Sequence, residues 1–254
     1  MDRRIVLTDA HTHMGTEAEM GKRKEQEIVS LVCASTPREA KAVFAQKGRF
    51  LIPTCGVHPW DAHRQQLKDL EGWMEKCPVI GEIGMDSVWC QVPLAVQEEV
   101  FLRQLDLAME QKKPVILHTK GQEKAIAAMI RQYPNRYLVH WYSCREYLEE
   151  YLDQDCYFSV GPDVGWNQAV MDVVKKVPVS RLLVETDGLQ AVRWAYEEGY
   201  RLLGVKAPKN IDVRTALTAT LESADQILGI RPWEAGLQFK ENLVSGFLGD
   251  CLNL

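Results

Sequence analysis

The chain has 254 residues, 46% hydrophobic and 26% charged, with a net charge of −5. This is the balance of an ordinary globular protein, and it excludes a broad basic nucleic-acid surface without excluding a small site that grips one phosphate. No apolar run reaches the ~20 residues that span a bilayer, and no charged-then-apolar signal pattern opens the chain, so no membrane partner is expected.

In chain order, runs rich in Val, Ile and Leu fall at 5–11, 28–34, 50–57, 79–86, 114–119, 137–142, 156–162 and 181–187. Continuous apolar runs predict parallel strands covered on both faces. Between the first two runs, MGTEAEMGKRKEQE (14–27) is only weakly helical in pattern and predicts a turn or an irregular loop. Thr36-Pro37 reads as an N-cap with Pro at the first helical position, opening a helix that Gly48 stops. Residues 97–113 carry Val100, Phe101, Leu105 and Ala108 at near-helical spacing, with Gln104 a polar exception on that stripe. The segments 121–133 and 145–152 read the same way. Strand–helix alternation repeated to eight strands predicts an α/β protein, a (β/α)8 TIM-type barrel in a single domain spanning 1–254. An open doubly wound sheet competes, but no G-x-G-x-x-G follows the first strand.

The strand ends carry the chemistry. Five of the six histidines stand there: His11 and His13 after strand one, His58 after strand three, His118 after strand five and His140 after strand six. Glu82 lies on strand four and Asp187 ends strand eight; His63 alone is elsewhere. Residues i and i+2 of a strand share a face, so His11 and His13 aim at one point. The carboxyl ends of barrel strands ring one mouth, so all these side chains converge there, and imidazoles with carboxylates make a dinuclear metal site. The seven cysteines (33, 55, 77, 90, 144, 156, 251) form no C-x-x-C pair and read as reduced, buried hydrophobes in a cytoplasmic protein.

The stretches DAHTHM (9–14), CGVHPW (55–60), GEIGMD (81–86), PVILHT (114–119), HWYS (140–143), LLVETD (182–187) and ENLVSGFLG (241–249) follow one another in an order that resembles the TatD family of metal-dependent hydrolases, within the amidohydrolase superfamily. The resemblance implies a barrel with two divalent ions and activity as a phosphodiesterase or deoxyribonuclease. Two such ions can turn a bridging water into hydroxide. Imidazoles suit Zn or Mn and phosphodiester work suits Mg or Mn, so the metal is left open among Mg, Mn and Zn. The resemblance also implies that His11 and His13 hold the first ion, Glu82 bridges, His118 and His140 hold the second, and Asp187 binds the first ion and takes the attacking water's proton. Four departures surround the substrate: Lys120 for the usual Arg, Trp141 and Tyr142 after the strand-six histidine, Gly188 after VETD, and a short first connection.

His58 is then free to act on a phosphate or the scissile oxygen; packing beside Trp60 is its bland alternative. Lys120 is a candidate phosphate contact, and Trp60, Trp89 and Trp141 are candidates to stack on bases. Glu185 and Asp9 are candidates to orient ligands from behind. The expected substrate is a single-stranded nucleic-acid end or a small phosphodiester. An amide, lactone or ester hydrolase on the same site stays open, as does a non-catalytic binding protein.

Overall fold

The computed structural model describes residues 5–251. Its eight strands are β1 (Thr8–His13), β2 (Val29–Ala34), β3 (Leu51–Cys55), β4 (Val79–Gly84), β5 (Val115–His118), β6 (Tyr137–Val139), β7 (Tyr157–Val160) and β8 (Leu182–Val184). They pair in parallel, in sequence order, as one sheet curled into a nearly closed (β/α)8 barrel. Where β8 returns to β1, Asp187 N donates to His11 O at 3.0 Å. The Asp9 carboxylate takes Thr186 N at 2.9 Å across the same seam.

Helices α1 (Glu17–Glu25), α2 (Pro37–Gln46), α3 (Lys68–Met74), α4 (Leu94–Glu110), α5 (Glu123–Ile130), α6 (Leu148–Leu152) and α7 (Gln168–Lys176) cover the strands. After β8 the chain is helical: α8 (Leu189–Leu203), α9 (Val213–Leu228) and α10 (Pro232–Glu241) precede a π-helical turn at Asn242–Leu248. No helix among the described residues is long and apolar enough to cross a membrane.

Strand side chains alternate between two cores. Leu31, Ile52, Val79, Ile116, Leu138 and Leu183 fill the barrel with Leu243, Phe247 and Leu248 of the last turn. Their neighbours in sequence, such as Val32, Ile80, Val115, Leu117 and Leu182, face the helices and meet Val43, Phe101, Ile126 and Val173.

The first connection corrects the sequence expectation: residues 14–27 hold a helix, not a loop. Thr16 and Glu19 make a capping box, with Glu19 N donating to Thr16 Oγ1 and Thr16 N donating to Glu19 Oε2. Hydrophobic periodicity is silent there because the helix buries only Met20 and Arg23. Strand six also ends early, at Val139, and helix α6 is shorter than 145–152. The cysteines need a smaller correction: 33, 55, 77 and 156 are buried, whereas 90, 144 and 251 are partly exposed, and all are free thiols.

Candidate metal centre

Two irregular strands build the site. The β1–β2 register shifts between Asp9 and Thr12, so Ala10 fills the barrel while His11 and His13 both reach the mouth. The β4–β5 register shifts between Ile80 and Ile83, and Val79 and Glu82 face inward together despite their odd spacing. Gly84 (φ +150°) closes the passage, since a Cβ there would lie 1.9 Å from His118 O.

Glu82 is the hub. Its Oε2 stands 3.4 Å from His11 Nε2 and 3.5 Å from His13 Nε2. Its Oε1 stands 2.6 Å from both His118 Nδ1 and His140 Nε2, and 3.5 Å from His58 Nε2. Asp187 Oδ1 lies 3.4 Å from both strand-one histidines. The six candidate ligands and His58 therefore meet around one carboxylate, in overlapping triads His11/His13/Asp187, His11/Glu82/His140 and His58/Glu82/His118.

Buried polar atoms ordinarily have partners. Here His11 Nε2, Glu82 Oε2 and Asp187 Oδ1 are buried without any hydrogen bond, although they face one another. Ligand bonds of about 2.1 Å around a tetrahedral cation leave ligand atoms about 3.4 Å apart, which is the spacing of this side of the cluster. The donor set fits a divalent cation.

The electrostatics agree. Burial would raise the Glu82 carboxyl, but His140, His58, His11 and His118 hold it well below the usual range. Burial, the largest influence, pulls His11 down, yet Glu82 and Asp187 together outweigh it and the imidazole is raised to about 9. His118 and His140 are raised in the same way against burial, His118 by Glu82 with Asp86 and His140 by Glu82 with Glu185. His58 differs: burial lowers it. A cation bound among these imidazoles competes with their protons, so metal binding should release protons.

Polar side chains stand behind the candidate ligands, where they can fix their orientation. Asp86 accepts from Trp60 Nε1 at 2.8 Å and from Val88 N and Trp89 N, and pairs with His118 Nε2 at 3.1 Å. Glu185 meets His140 Nδ1 at 3.3 Å and accepts from Ser159 Oγ at 2.6 Å. Cys33 Sγ accepts from Glu82 N at 3.0 Å. The polar exception on α4 has a purpose: Gln104 accepts from Val57 N and donates to Val57 O, bracing the residue before His58. Two turns earlier on the same face, Gln97 does the same for Asp86, accepting from its N–H at 2.8 Å and donating to its C=O at 3.0 Å.

Other candidates sort differently. Asp9 faces away from the histidines and pairs with Arg23. Tyr142 is not at the mouth; it is buried against Tyr151 and Phe158 with its hydroxyl donating to Glu146 O. Lys120, Trp60, Trp89 and Trp141 all line a cavity of about 570 Å³ that opens beside His118, His140 and Asp187. Sequence reasoning missed Asp86, Gln97, Arg23 and Trp194. Asp86 closes the GEIGMD stretch, and Gln97 stands two turns before the noted exception Gln104 on the same stripe, so a signal existed for those two; Arg23 lay in the helix that periodicity overlooked.

The model of a family described as TatD related DNase matches residues 8–224. The chain belongs to this family of metal-dependent hydrolases. It is 28% identical over 204 residues to the metal-dependent hydrolase YabD of Bacillus subtilis, covering 72% of this chain and 80% of that protein. It is 31% identical over 153 residues to the 3'-5' ssDNA/RNA exonuclease TatD of Edwardsiella piscicida, covering 54% of this chain and 58% of the relative. Among solved structures, YjjV, a TatD homologue from Escherichia coli, superposes with a TM-score of 0.76 at 21% identity, over 95% of this chain and 97% of that one. That likeness concerns the fold.

Proposed function

We propose that this enzyme is a phosphodiesterase of nuclease type, acting on single-stranded nucleic-acid ends or small nucleotides with two divalent cations, Mg, Mn or Zn. The observation that carries the reading is Glu82, whose two oxygens face two separate sets of histidines. His11, His13 and Asp187 would hold one cation and His118 and His140 the other, with Glu82 shared. Such cations supply positive charge that acidifies water and polarises a phosphoryl oxygen.

The chain's own groups supply the rest. The Asp187 side chain is partly exposed on the cavity side of the cluster and its buried Oδ1 has no hydrogen-bond donor, which supports a role in taking a proton from the attacking water and returning it to the leaving oxygen. His58 Nδ1 accepts from Trp60 N at 3.2 Å, so a neutral ring carries its proton on Nε2, which points toward Glu82. That N–H makes His58 a donor to a phosphate or the scissile oxygen, not a ligand. Lys120 and Trp60 at the cavity wall would hold the substrate. The free thiols suit a reducing compartment, and we place the enzyme in the cytoplasm.

The test is elemental analysis of the purified protein coupled to a screen of phosphodiesters against carboxylic esters and amides. Phosphodiester cleavage with Mg, Mn, Co or Zn is expected. Turnover of an ester or amide with none of a phosphodiester would replace this reading by an acyl hydrolase on the same residues.

A further inference from the structure

Four indoles, Trp60, Trp89, Trp141 and Trp194, wall the cavity beside the cluster. Two are locked in place. Trp60 Nε1 donates to Asp86, and Trp141 Nε1 donates to Asp163 at 2.7 Å. The Trp141 ring also lies directly over Gly161, where a Cβ would come within 2.4 Å of it. Trp194 stands edge-on to Trp89 and Trp141, with ring centroids 5.4 and 6.2 Å away. Yet Trp60, Trp89 and Trp194 stay 44%, 52% and 43% exposed, a concentration of uncovered aromatic surface that monomeric proteins rarely keep without use.

Charge narrows what covers it. Among the described lining residues Lys120 is the one Lys or Arg, against Glu123, Asp163 and Asp187. Its ammonium is already engaged, 2.7 Å from Ser143 Oγ and 5.1 Å from the centre of the Trp89 ring. A wall with more carboxylates than cations repels a run of phosphates. The occupant must carry its negative charge at the histidine–carboxylate cluster and present something flat and uncharged to the cavity.

We propose that this cavity is a nucleobase site, holding the base of the nucleotide whose phosphodiester lies at the cluster, stacked on an indole face and edged by the neighbouring rings. The inference rests on the phosphodiesterase reading above and adds to it the part of the substrate that is recognised. Because the N–H groups of Trp60 and Trp141 are spent on carboxylates, these walls offer π-faces more than hydrogen-bond codes, and tolerance of base identity follows. A duplex cannot present a base this way without unpairing it, so single strands and short oligonucleotides are the substrates that fit.

The experiment compares the dinucleotide d(TpT) with the same dinucleotide lacking both bases, which leaves the phosphodiester and sugars unchanged. Wild type is expected to favour d(TpT) in kcat/KM by about tenfold or more, mainly through KM. Trp194→Ala and Trp141→Ala should each cut that ratio several-fold, and Trp194→Phe should restore most of it. Independently of turnover, thymidine 5'-monophosphate should quench the indole fluorescence of wild type saturably, and less so in Trp194→Ala. Equal kcat/KM for the two dinucleotides, or a ratio untouched by both alanine variants, would overturn the base site while leaving the phosphodiesterase intact. If neither dinucleotide is cleaved with any cation, the catalytic reading fails, and saturable quenching then supports the base site alone while its absence overturns that too.

Discussion

Two buried polar clusters sit within one strand's width of each other and behave in opposite ways. On the outer side of β1, Arg23 is fully buried and donates to Asp9 Oδ2 at 2.6 Å, Ser30 Oγ at 2.9 Å, Thr12 Oγ1 at 3.0 Å and Thr186 Oγ1 at 3.3 Å. Thr186 Oγ1 in turn donates to Asp9 at 2.6 Å. Only Arg23 Nε is left over. On the inner side, His11 and Glu82 are as deeply placed and Asp187 is partly exposed, yet facing atoms of all three are buried without a hydrogen bond. The outer cluster is satisfied by the protein and holds β1, β2 and β8 together; the inner one is completed only by something the chain does not supply. A buried polar group without a partner costs about 1–3 kcal/mol, so a fold keeps several in one place only where a ligand repays them.

The sharpest way to break this contrast is at the inner cluster. Glu82→Gln replaces a shared carboxylate by a neutral amide and should abolish stoichiometric metal, read by elemental analysis. Asp187→Asn keeps an oxygen but loses most of its basicity. We expect it to retain substantial metal while hydrolysis falls by about 10²–10⁴. An Asp187→Asn protein as fast as wild type would remove the proton-transfer role.

The outer cluster should answer through stability. Arg23→Met leaves the Asp9 carboxylate buried without its counter-charge, a loss of about 3–5 kcal/mol in urea unfolding. Adding Asp9→Asn to that variant should recover part of the loss. If Arg23→Met unfolds like wild type, the cluster is not what holds the seam. The inner cluster should show the converse, with divalent cation raising the midpoint of wild type and leaving that of Glu82→Gln unmoved.

Between these lie Asp86 and Glu185, each a carboxylate behind one histidine. Asp86→Asn and Glu185→Gln should weaken metal binding about 10- to 100-fold. Titration with a chelator-buffered cation measures this, and unchanged affinity in both would mean that His118 and His140 need no support.

The smallest effect concerns Lys120. With one engaged lysine in the cavity wall, kcat/KM on a single-stranded substrate should fall only mildly with salt at fixed free metal, by the slope of about one or two phosphate contacts. Lys120→Ala should flatten it slightly. A slope equivalent to about five or more contacts would reveal a basic track elsewhere on the surface.

Much of this was legible in the linear chain. Apolar runs at regular intervals are a local property, and they predict eight parallel strands because each is buried on both faces. Scarce histidines at strand ends, with Glu82 and Asp187, predict convergence because a barrel brings all its carboxyl ends together. Helix α1 was hidden because, besides Met20, the residue it buries is a charged one, Arg23, and no apolar stripe marks it. Tertiary structure alone decided the rest. The register shifts in β1 and β4 break the period of two and separate Asp9 from His11, two residues that simple alternation puts on one face. The assignment of Gln97 and Gln104 to the loops carrying Asp86 and His58, and of Trp194 to the cavity, depends on contacts between elements far apart in sequence. A strand's pattern records which side is buried; what lies on that side is settled only when the sheet has curled and its neighbours have arrived.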